Sequence, residues 1–322
     1  MWMTWREAMR RALYGENGFY LRERPRGHFR TSVSATPAFG RAVLRLLTTV
    51  DDTLGRPARL DLVDVGSGDG SLLTQVLHAA AGTPAAGRLH PVAVDLSPRP
   101  ADLDPAVTWS ATLPESITGL VVANEWLDNI PLDVVEAAPC GPRVVLVDPA
   151  TGAERLGGPP DEADARWLAR WWPLGATGRR AEVGRPRDAA WAAVIRRLAG
   201  GLAVAADYAH AAGGRPPGGT LAGYRDGARV PAVPDGSCDI TAHVALDACA
   251  AAGERAGATA TTLRTQRDAL RELGVVGARP PLALAGTDPG GYLRALARAG
   301  EDAELIDPAG LGGFGWLSQW RR

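Results

Sequence analysis

The stretch LVDVGSGDGSLL, residues 62–73, constrains the fold of this chain more than any other segment. Its apolar run LVDV is typical of a buried strand, and Gly66, Gly68 and Gly70 follow at alternate positions. Glycine has no Cβ, so a turn of this kind lets a ligand touch the backbone. A helix predicted from about Ser71 to Ala81 begins at once and points free N–H groups at the same place. The sequence therefore predicts a strand–turn–helix unit that binds a ligand.

Further strands and helices alternate along the first half of the chain. HPVAVDLS gives a second strand, VTW a short third one, and GLVVANEWLDNIP a fourth that ends near Asn124. Apolar residues with helical spacing precede them in residues 4–14 and 37–50. Strands that alternate with helices indicate a parallel sheet covered on both faces. We therefore expect an α/β fold with a doubly wound sheet.

The pattern changes in the second half. LDVVEAA and RVVLVDPATGAERL predict a hairpin with a turn at PCGP, and the Trp-containing residues 155–187 predict an insertion packed on the core. RDAAWAAVIRRLAGG predicts a helix that leads into the buried strand LAVAADYAH. The Gly- and Pro-rich residues 211–237 predict a loop or lid. DITAHVALDACAAAGERAG, with Asp239 as its N-cap, TTLRTQRDALRELGV and PGGYLRALARAG predict helices, and GFGWLSQW predicts a final strand.

The spacing of the glycines and two acids indicates which ligand the turn binds. Dinucleotide folds use G-x-G-x-x-G, whereas here the third glycine comes one place early. Asp64, two residues before Gly66, suits an ammonium group and would repel a pyrophosphate. Asp95 ends the second strand, 25 residues after Gly70, which is near the spacing of a ribose-binding acid. These features favour S-adenosylmethionine over a nicotinamide cofactor; a glycine turn without a ligand is the structural alternative.

The end of the fourth strand carries the candidate reactive residues. Strand ends in an open parallel sheet form the ligand crevice, which places Asn124, Glu125 and Asp128 beside the cofactor's reactive end. Glu125 and Asp128 are three residues apart, so a helical turn would bring both to one face. Two carboxylates there stabilise a sulfonium, hold a guanidinium, or accept a proton from the nucleophile. The alternative is that one of them, above all Asp128, only caps a helix.

Seven short motifs in the same order resemble the MidA-like methyltransferases. They are GFY, GHFRTS, LVDVGSGDGSLL, VVANEWLDNIP, AADYAH, GTLAGYR and CDITAHV, and they run from Gly18 to Val244. The resemblance implies a class I S-adenosylmethionine-dependent methyltransferase: a Rossmann-like doubly wound sheet with an N-terminal helical segment and an inserted α+β cap. Mitochondrial members of that family are linked to arginine dimethylation of a respiratory complex I subunit and to assembly of that complex.

The family's functional positions carry over residue by residue. The matching residues are Gly66, Gly68 and Gly70 of the cofactor loop, Asp64 where the family usually has Glu, Asn124, Glu125, Asp128 and Pro131 of NE-x-x-D-x-x-P, Asp207 and Tyr208 of the DYG strand end, Gly219, Thr220, Gly223 and Tyr224 of GTL-x-GY, and Asp239, Thr241 and His243 of DITAHV. The N-terminal loop departs from the family pattern GDF-x-TSPEIS. Here His28 replaces an acid, Val33 replaces Pro and Ser34 replaces Glu. The loss of two carboxylates weakens the case for an arginine acceptor if this loop shapes the acceptor site.

Six further residues are candidates for the site or for packing. His243 is either a base that assists Glu125 and Asp128 or a hydrogen-bonded structural histidine. Asp207 and Tyr208 follow a strand that ends at the same crevice, which favours a role in the site. The tryptophans Trp167, Trp171 and Trp172 are expected to pack the insertion rather than stack on a substrate.

Composition excludes other classes of function. The chain has 322 residues and a formal net charge of -1, so we expect no general nucleic-acid binding. The sequence has no run of about 18 apolar residues and no signal peptide, so no membrane insertion is expected. Three cysteines without metal-ligand spacing indicate a reducing, cytoplasmic setting and no metal. The oligomeric state does not follow from the sequence.

The expected organisation follows the chain. It comprises residues 1–54 as N-terminal helices and the substrate and cofactor loop, 55–150 as the first half of the S-adenosylmethionine-binding core, 151–190 as an insertion, 191–210 as a core strand and helix, 211–290 as cap or lid helices, and 291–322 as the C-terminal core helix and strand. The expected function is methyl transfer to a protein arginine, or to another nitrogen or oxygen nucleophile of a protein or small molecule. Expected cofactor contacts come from Asp64, Gly66, Gly68, Gly70, Asp95 and Asn124; Glu125, Asp128 and His243 are the expected catalytic residues. A non-catalytic assembly or binding factor built on the same fold is the alternative.

Overall fold

The strands of the protein belong to one large sheet and several small ones. A computed structural model describes residues 1–22 and 31–322 of the chain. The strands are β1 Met3–Thr4, β2 Leu60–Val65, β3 Leu89–Val94, β4 Thr108–Ser110, β5 Ile117–Asn124, β6 Asp133–Ala138, β7 Gly141–Val147, β8 Glu154–Leu156, β9 Arg180–Val183, β10 Leu198–Asp207, β11 Ala209–His210, β12 Ala222–Arg225, β13 Ala228–Val230, β14 Asp239–Thr241, β15 Val244–Ala245, β16 Ala260–Thr265 and β17 Gly315–Arg321.

The helices of the described residues pack on the large sheet and on the smaller antiparallel sheet. They are α1 Trp5–Tyr14, α2 Phe19–Arg22, α3 Ser32–Ala35, α4 Ala38–Thr53, α5 Ser71–Ala80, α6 Glu162–Trp171, α7 Arg185–Arg197, α8 Leu246–Arg255, α9 Gln266–Glu272, α10 Ala283–Thr287 and α11 Pro289–Leu305. A short 3-10 turn at Leu127–Asn129 follows β5 and becomes important for the site.

The large sheet has the order β16-β17-β10-β5-β2-β3-β4. The five strands β10, β5, β2, β3 and β4 run parallel, whereas β17 is antiparallel to both of its neighbours. From β2 the chain moves outward to β3 and β4, and then returns to place β5 on the other side of β2. The strand order therefore reverses between β2 and β5, and such a switch point opens a crevice at the carboxyl ends of the strands.

Alternating side chains of the central strands feed two hydrophobic cores, one on each face of the sheet. Leu62 and Leu120 point to the face covered by α4 and α5, together with Phe39. Their neighbours Val63 and Val121 point to the opposite face, which α7 and α8 cover. All six residues of β2 are buried, as expected for a strand with helices on both faces. The predicted doubly wound α/β fold is confirmed.

A second sheet is antiparallel and draws its strands from residues 3–4 and 133–183. Its order is β1-β7-β6-β9, with β8 beside β7. Helix α1 packs on it through Trp5, Met9 and Leu13. On the other side α6 packs through Trp167 and Leu168, so the prediction that the Trp cluster packs the insertion is confirmed. The predicted hairpin is also confirmed as β6 and β7.

Two helices of the second half begin later than predicted. Asp239–Thr241 forms β14 and pairs with β12, and helix α8 begins only at Leu246. The Asp239 carboxylate accepts hydrogen bonds from the side chains of Tyr20 and Asn129, so it does not cap a helix. The Thr-rich residues 260–265 form β16 because they pair with β17. Helical structure starts where Thr265 caps α9.

The segment predicted as a loop or lid contains a small hairpin. Strands β12 and β13 pair within residues 211–237 and, with β14, form a three-stranded sheet. The prediction for His28 concerns a residue that lies outside the described ranges.

Candidate functional site

A large cavity opens at the carboxyl edge of the parallel strands. Its volume is about 1510 Å³, and we call it the crevice. The glycine turn after β2, the residues after β3, and the segment after β5 all line it, as do α1 and α2 of the N-terminal region. Of the residues predicted for the site, Asp64, Gly66, Gly68, Asp95, Asn124, Glu125 and Asp128 all line this crevice.

The three glycines of the turn are required for different physical reasons. Gly66, Gly68 and Gly70 have φ of 73°, 61° and 76°, the left-handed region that favours glycine. A Cβ on Gly66 would lie 2.8 Å from Trp126, and one on Gly70 would lie 2.5 Å from Leu103. A Cβ on Gly68 would meet nothing within 4 Å. The Gly68 backbone is therefore the bare surface that faces the open crevice.

Asp95 ties the end of β3 to the glycine turn. Its Oδ2 accepts a hydrogen bond from the Gly68 N–H at 2.8 Å, and its Oδ1 accepts from the N–H and hydroxyl of Ser97 at 2.8 and 2.7 Å. A carboxylate has about four acceptor positions, so capacity remains for ligand hydroxyls. Asp95 stays half-buried on the crevice wall.

Asp64 is a buried acid at the base of the same turn. It is 4% exposed, and its Oδ2 accepts a hydrogen bond from the Ser67 hydroxyl at 2.6 Å. Burial raises the pKa of Asp64 to about 7, with Asp95 and Asp69 adding to the effect. Among the residues that the structure describes, no cationic side chain pairs with it. A ligand with a positive group would therefore restore its charge.

Glu125 follows β5 in a strained backbone conformation. Its φ is 51°, uncommon for a residue with a Cβ, and its N–H donates to Ala206 O at 2.8 Å. Its Oε1 accepts from the Ser32 N–H and from Asn124 Nδ2, both at 3.0 Å. Burial raises the pKa of Glu125 to about 8. Asn124 Oδ1 is buried and has no hydrogen-bond partner within the described part of the chain.

Asp128 reaches the crevice from the 3-10 turn Leu127–Asn129. The prediction that Glu125 and Asp128 share one face of a helical turn is wrong, because Glu125 lies before the turn in a left-handed conformation. The cap of this turn is Asp207, whose Oδ2 accepts from the N–H groups of Leu127 and Asp128 at 2.9 and 3.2 Å. The alternative that Asp128 serves as the cap is therefore wrong; its carboxylate contacts Thr241 and lines the crevice.

Asp128 and Asp207 are buried acids side by side. Burial raises the pKa of Asp128 to about 6, although the nearby Arg187 guanidinium opposes this. The pKa of Asp207 lies well above its usual range, because of burial and then the Asp128 charge. Asp128 Oδ1 is buried without a hydrogen-bond partner among the described residues.

His243 lies next to Tyr208, a residue that lines the crevice. It occupies the link between β14 and β15, and the described residues that line the crevice do not include it. Its ring stacks on Tyr208, with centroids 5.6 Å apart, and its backbone N–H donates to the Thr220 hydroxyl at 2.8 Å. Tyr208 itself lines the crevice. His243 therefore contacts the crevice through Tyr208.

Several residues of the crevice were not identified from the sequence. Tyr14 and Tyr20 stack with centroids 5.6 Å apart and line the crevice, and Tyr20 donates to Asp239 Oδ1 at 2.9 Å. Four of the five tyrosines of the chain line it. The sequence did contain one signal for this part of the crevice. Arg6, Arg10 and Tyr14 are four residues apart, which places them on one face of α1.

The altered N-terminal loop borders the same crevice. Val33 and Ser34 both line it. Ser34 forms a capping box with Thr31 at the start of α3, so its hydroxyl is used locally. Ser34 stands where the family pattern has Glu, so this position provides no carboxylate to a ligand.

The structure also bears on membranes and metals. In residues 1–22 and 31–322, no helix has the length and apolar character of a membrane-spanning segment. Over the same ranges, no group of three or more His, Cys, Asp or Glu side chains is arranged to hold a metal ion.

A family model described as "Putative S-adenosyl-L-methionine-dependent methyltransferase" matches residues 42–264. The chain belongs to this family. The match spans the glycine turn, the segment after β5 and the strand β14. The resemblance to the MidA-like methyltransferases is confirmed, as is the expectation of an S-adenosylmethionine-dependent enzyme. The alternative of a non-catalytic factor is not favoured.

Solved structures support the same assignment. A COG1565 superfamily member from Burkholderia thailandensis, bound to S-adenosyl-homocysteine, is 27% identical with a TM-score of 0.81, covering 99% of this chain and 88% of that chain. A native structure of a COG1565 superfamily protein from the same organism is also 27% identical, with a TM-score of 0.81, covering 99% and 87%. A search of curated proteins finds no match.

Proposed function

We propose that this methyltransferase binds S-adenosylmethionine across the glycine turn and methylates a nucleophile held beside Glu125 and Asp128. Although Ser34 brings no carboxylate to the crevice, Glu125 and Asp128 do, and we therefore propose the guanidinium of a protein arginine as the acceptor, with other nitrogen or oxygen nucleophiles as the competing class. The observation that supports this most is the pair of desolvated carboxylates in the same crevice as the open Gly68 backbone.

The residues around the glycine turn fit the cofactor. The bare Gly68 backbone leaves room for it, and the buried Asp64 carboxylate suits the ammonium of its methionine part. The Asp95 carboxylate suits the ribose hydroxyls, and the unpartnered Asn124 Oδ1 is a further acceptor at the carboxyl end of β5. When bound, the cofactor supplies an electrophilic methyl group on a positively charged sulfur.

The carboxylates after β5 provide what the acceptor needs. Among the described residues, neither Glu125 nor Asp128 forms an ion pair, so an entering guanidinium would supply the missing positive charge. Burial removes water, which strengthens this attraction. The nucleophile gives up a proton when it takes the methyl group, and an ionised carboxylate in hydrogen-bond reach accepts it. We assign this role to Glu125, with Asp128 as the second anion, because both line the crevice, whereas His243 contacts it through Tyr208.

Two measurements test the proposal. Calorimetry measures the binding of S-adenosyl-homocysteine to the wild-type protein. Methyl transfer is measured from methyl-labelled S-adenosylmethionine to a short arginine peptide, to the matched lysine peptide, and to a cell lysate whose products are hydrolysed and separated. We expect binding, together with label in methylarginine.

The outcomes separate the parts of the proposal. Label in lysine, in O-methyl products or in a small molecule would contradict the arginine acceptor and leave the cofactor site intact. Absence of both binding and label would contradict the whole proposal.

A further inference from the structure

Arg187 is a buried guanidinium that the family motifs do not include. It lies in the first turn of α7 and is 1% exposed. An arginine is almost never buried to this extent unless partners compensate for its lost hydration. Its partners therefore indicate what the charge is used for.

The partners of Arg187 are backbone carbonyls of two separate loops. Nη2 donates to Asp128 O and Nε to Ile130 O at 3.3 Å, both in the segment after β5. Nη1 donates to Ala242 O at 2.7 Å and to His243 O at 3.0 Å, in the link after β14. One planar side chain thus joins the two loops, and its five N–H donors in a fixed fork suit this task.

Both loops form the acceptor side of the crevice. Asp128, Asn129 and Ile130 line it from the first loop, and Asp239 and Thr241 line it from the strand that leads into the second. The first loop is held on both sides: Asp207 accepts its N–H groups, and Arg187 donates to its carbonyls.

The charge of Arg187 acts on the carboxylates of the site. In the described part of the chain, no carboxylate forms an ion pair with it, so the charge is not cancelled by contact. It lowers the pKa of Asp128 against the effect of burial. The titratable groups near Asp128 come from every surrounding element: Glu125 after β5, Asp207 and Tyr208 at the end of β10, Asp239 in β14, Tyr14 in α1, Tyr20 in α2 and Arg187 in α7. Of these neighbours, Arg187 alone is cationic.

We propose that Arg187 is a positioning residue for methyl transfer, whose fork fixes the two acceptor loops and whose charge stabilises Asp128 as a carboxylate. This proposal rests on the proposed function, because it assigns Asp128 to the acceptor. It predicts that the geometric and the electrostatic contributions can be separated by substitution. Lysine keeps the charge and loses the fork, whereas glutamine loses the charge.

The experiment compares Arg187→Lys, Arg187→Gln and a control, Arg196→Gln, an exposed residue at the far end of the same helix. Thermal unfolding and S-adenosyl-homocysteine calorimetry verify folding and cofactor binding. Methyl transfer to the accepted peptide is measured between about pH 5 and pH 9. A ¹³C-carboxyl aspartate titration, with the signal assigned by Asp128→Asn, follows the ionisation of Asp128 without any acceptor.

The expected results differ for each variant. Arg187→Gln shifts the Asp128 titration upward by about 1 pH unit, since an opposite charge is lost, and moves the lower step of the acidic limb by the same amount; the upper step, near pH 8, belongs to Glu125. Arg187→Lys leaves both in place and raises the acceptor KM by about tenfold, because the carbonyls of two loops lose their shared donor. Both variants and Arg196→Gln keep cofactor affinity, and Arg196→Gln keeps the whole profile.

An unshifted Asp128 titration in Arg187→Gln would overturn the electrostatic part, and a wild-type KM in Arg187→Lys would overturn the positioning part. If Arg187→Gln does not fold, Arg187→Lys decides through its KM. Wild-type protein without methyl transfer would refute the proposed function, and the titration would still decide the effect of Arg187 on Asp128.

Discussion

Gly68→Ala tests the cofactor site with a single methyl group. Gly68 has φ of 61°, and a Cβ built on it meets nothing within 4 Å. The added methyl group therefore clashes with no protein atom and projects into the crevice. Holding alanine in the left-handed region costs about 1–2 kcal/mol of folding free energy. Loss of stability alone is thus expected and does not identify a binding site.

Gly82→Ala is the matched control. Gly82 has φ of 79°, and its Cβ also meets nothing within 4 Å, but it does not belong to the residues that line the crevice. Both variants should lose the same stability in a denaturant titration. Only Gly68→Ala should weaken S-adenosyl-homocysteine binding, because only its methyl group occupies ligand space.

Calorimetry gives the magnitude. We expect the Kd of Gly68→Ala to rise about tenfold or more, equivalent to about 1.4 kcal/mol, as the cofactor loses its close approach to the backbone. Gly82→Ala should keep the wild-type Kd. Unchanged affinity in Gly68→Ala, or equal loss in both variants, would refute the assignment of the cofactor to this turn.

Two further predictions concern the buried acids. Glu125→Gln keeps an oxygen that accepts from the Ser32 N–H, so it should retain cofactor affinity by calorimetry. It should lose methyl transfer, and any residual rate should lack the limb that rises near pH 8 in the wild type. A fully active variant would remove Glu125 from the mechanism. Because burial raises the pKa of Asp64 from 3.8 to about 7, the folded protein keeps a proton that the unfolded chain releases, and the free energy of unfolding should fall as pH rises from about 4 to about 7. Urea unfolding across this range should show a smaller fall in Asp64→Asn, and equal slopes would contradict the argument.

The first half of the fold could be predicted because its signals are local. The run of residues 60–65, buried on both faces, and the glycines after it are readable from a few neighbouring positions. The position of Asp95 follows from the rule that parallel strands end at one edge. These segments need no knowledge of distant contacts.

The parts that could not be predicted depend on contacts far along the chain. Asp239 has the sequence of a helix cap, but Tyr20 and Asn129 engage its carboxylate and β12 pairs with its backbone. Asp207 caps a turn about 80 residues earlier in the chain. Glu125 has a left-handed backbone conformation, in which its N–H donates to Ala206 O and its carboxylate accepts from the Ser32 N–H. No local sequence pattern encodes these two contacts.

The charge balance of the crevice connects the fold to the proposed chemistry. Asp64, Glu125, Asp128 and Asp239 line it, and burial raises the pKa of each. Desolvated acids of this kind stay protonated or require a positive partner. On the crevice, Arg6 pairs with Asp133 and Arg10 with Glu7, and the buried Arg187 acts on Asp128. The cofactor carries a sulfonium and an ammonium group, and the ammonium would pair with Asp64. A cationic acceptor that enters afterwards would pair with Glu125 and Asp128. A cationic guanidinium lowers the pKa of Glu125 further as it enters, whereas a neutral hydroxyl does not, which is why we favour a guanidinium over a hydroxyl.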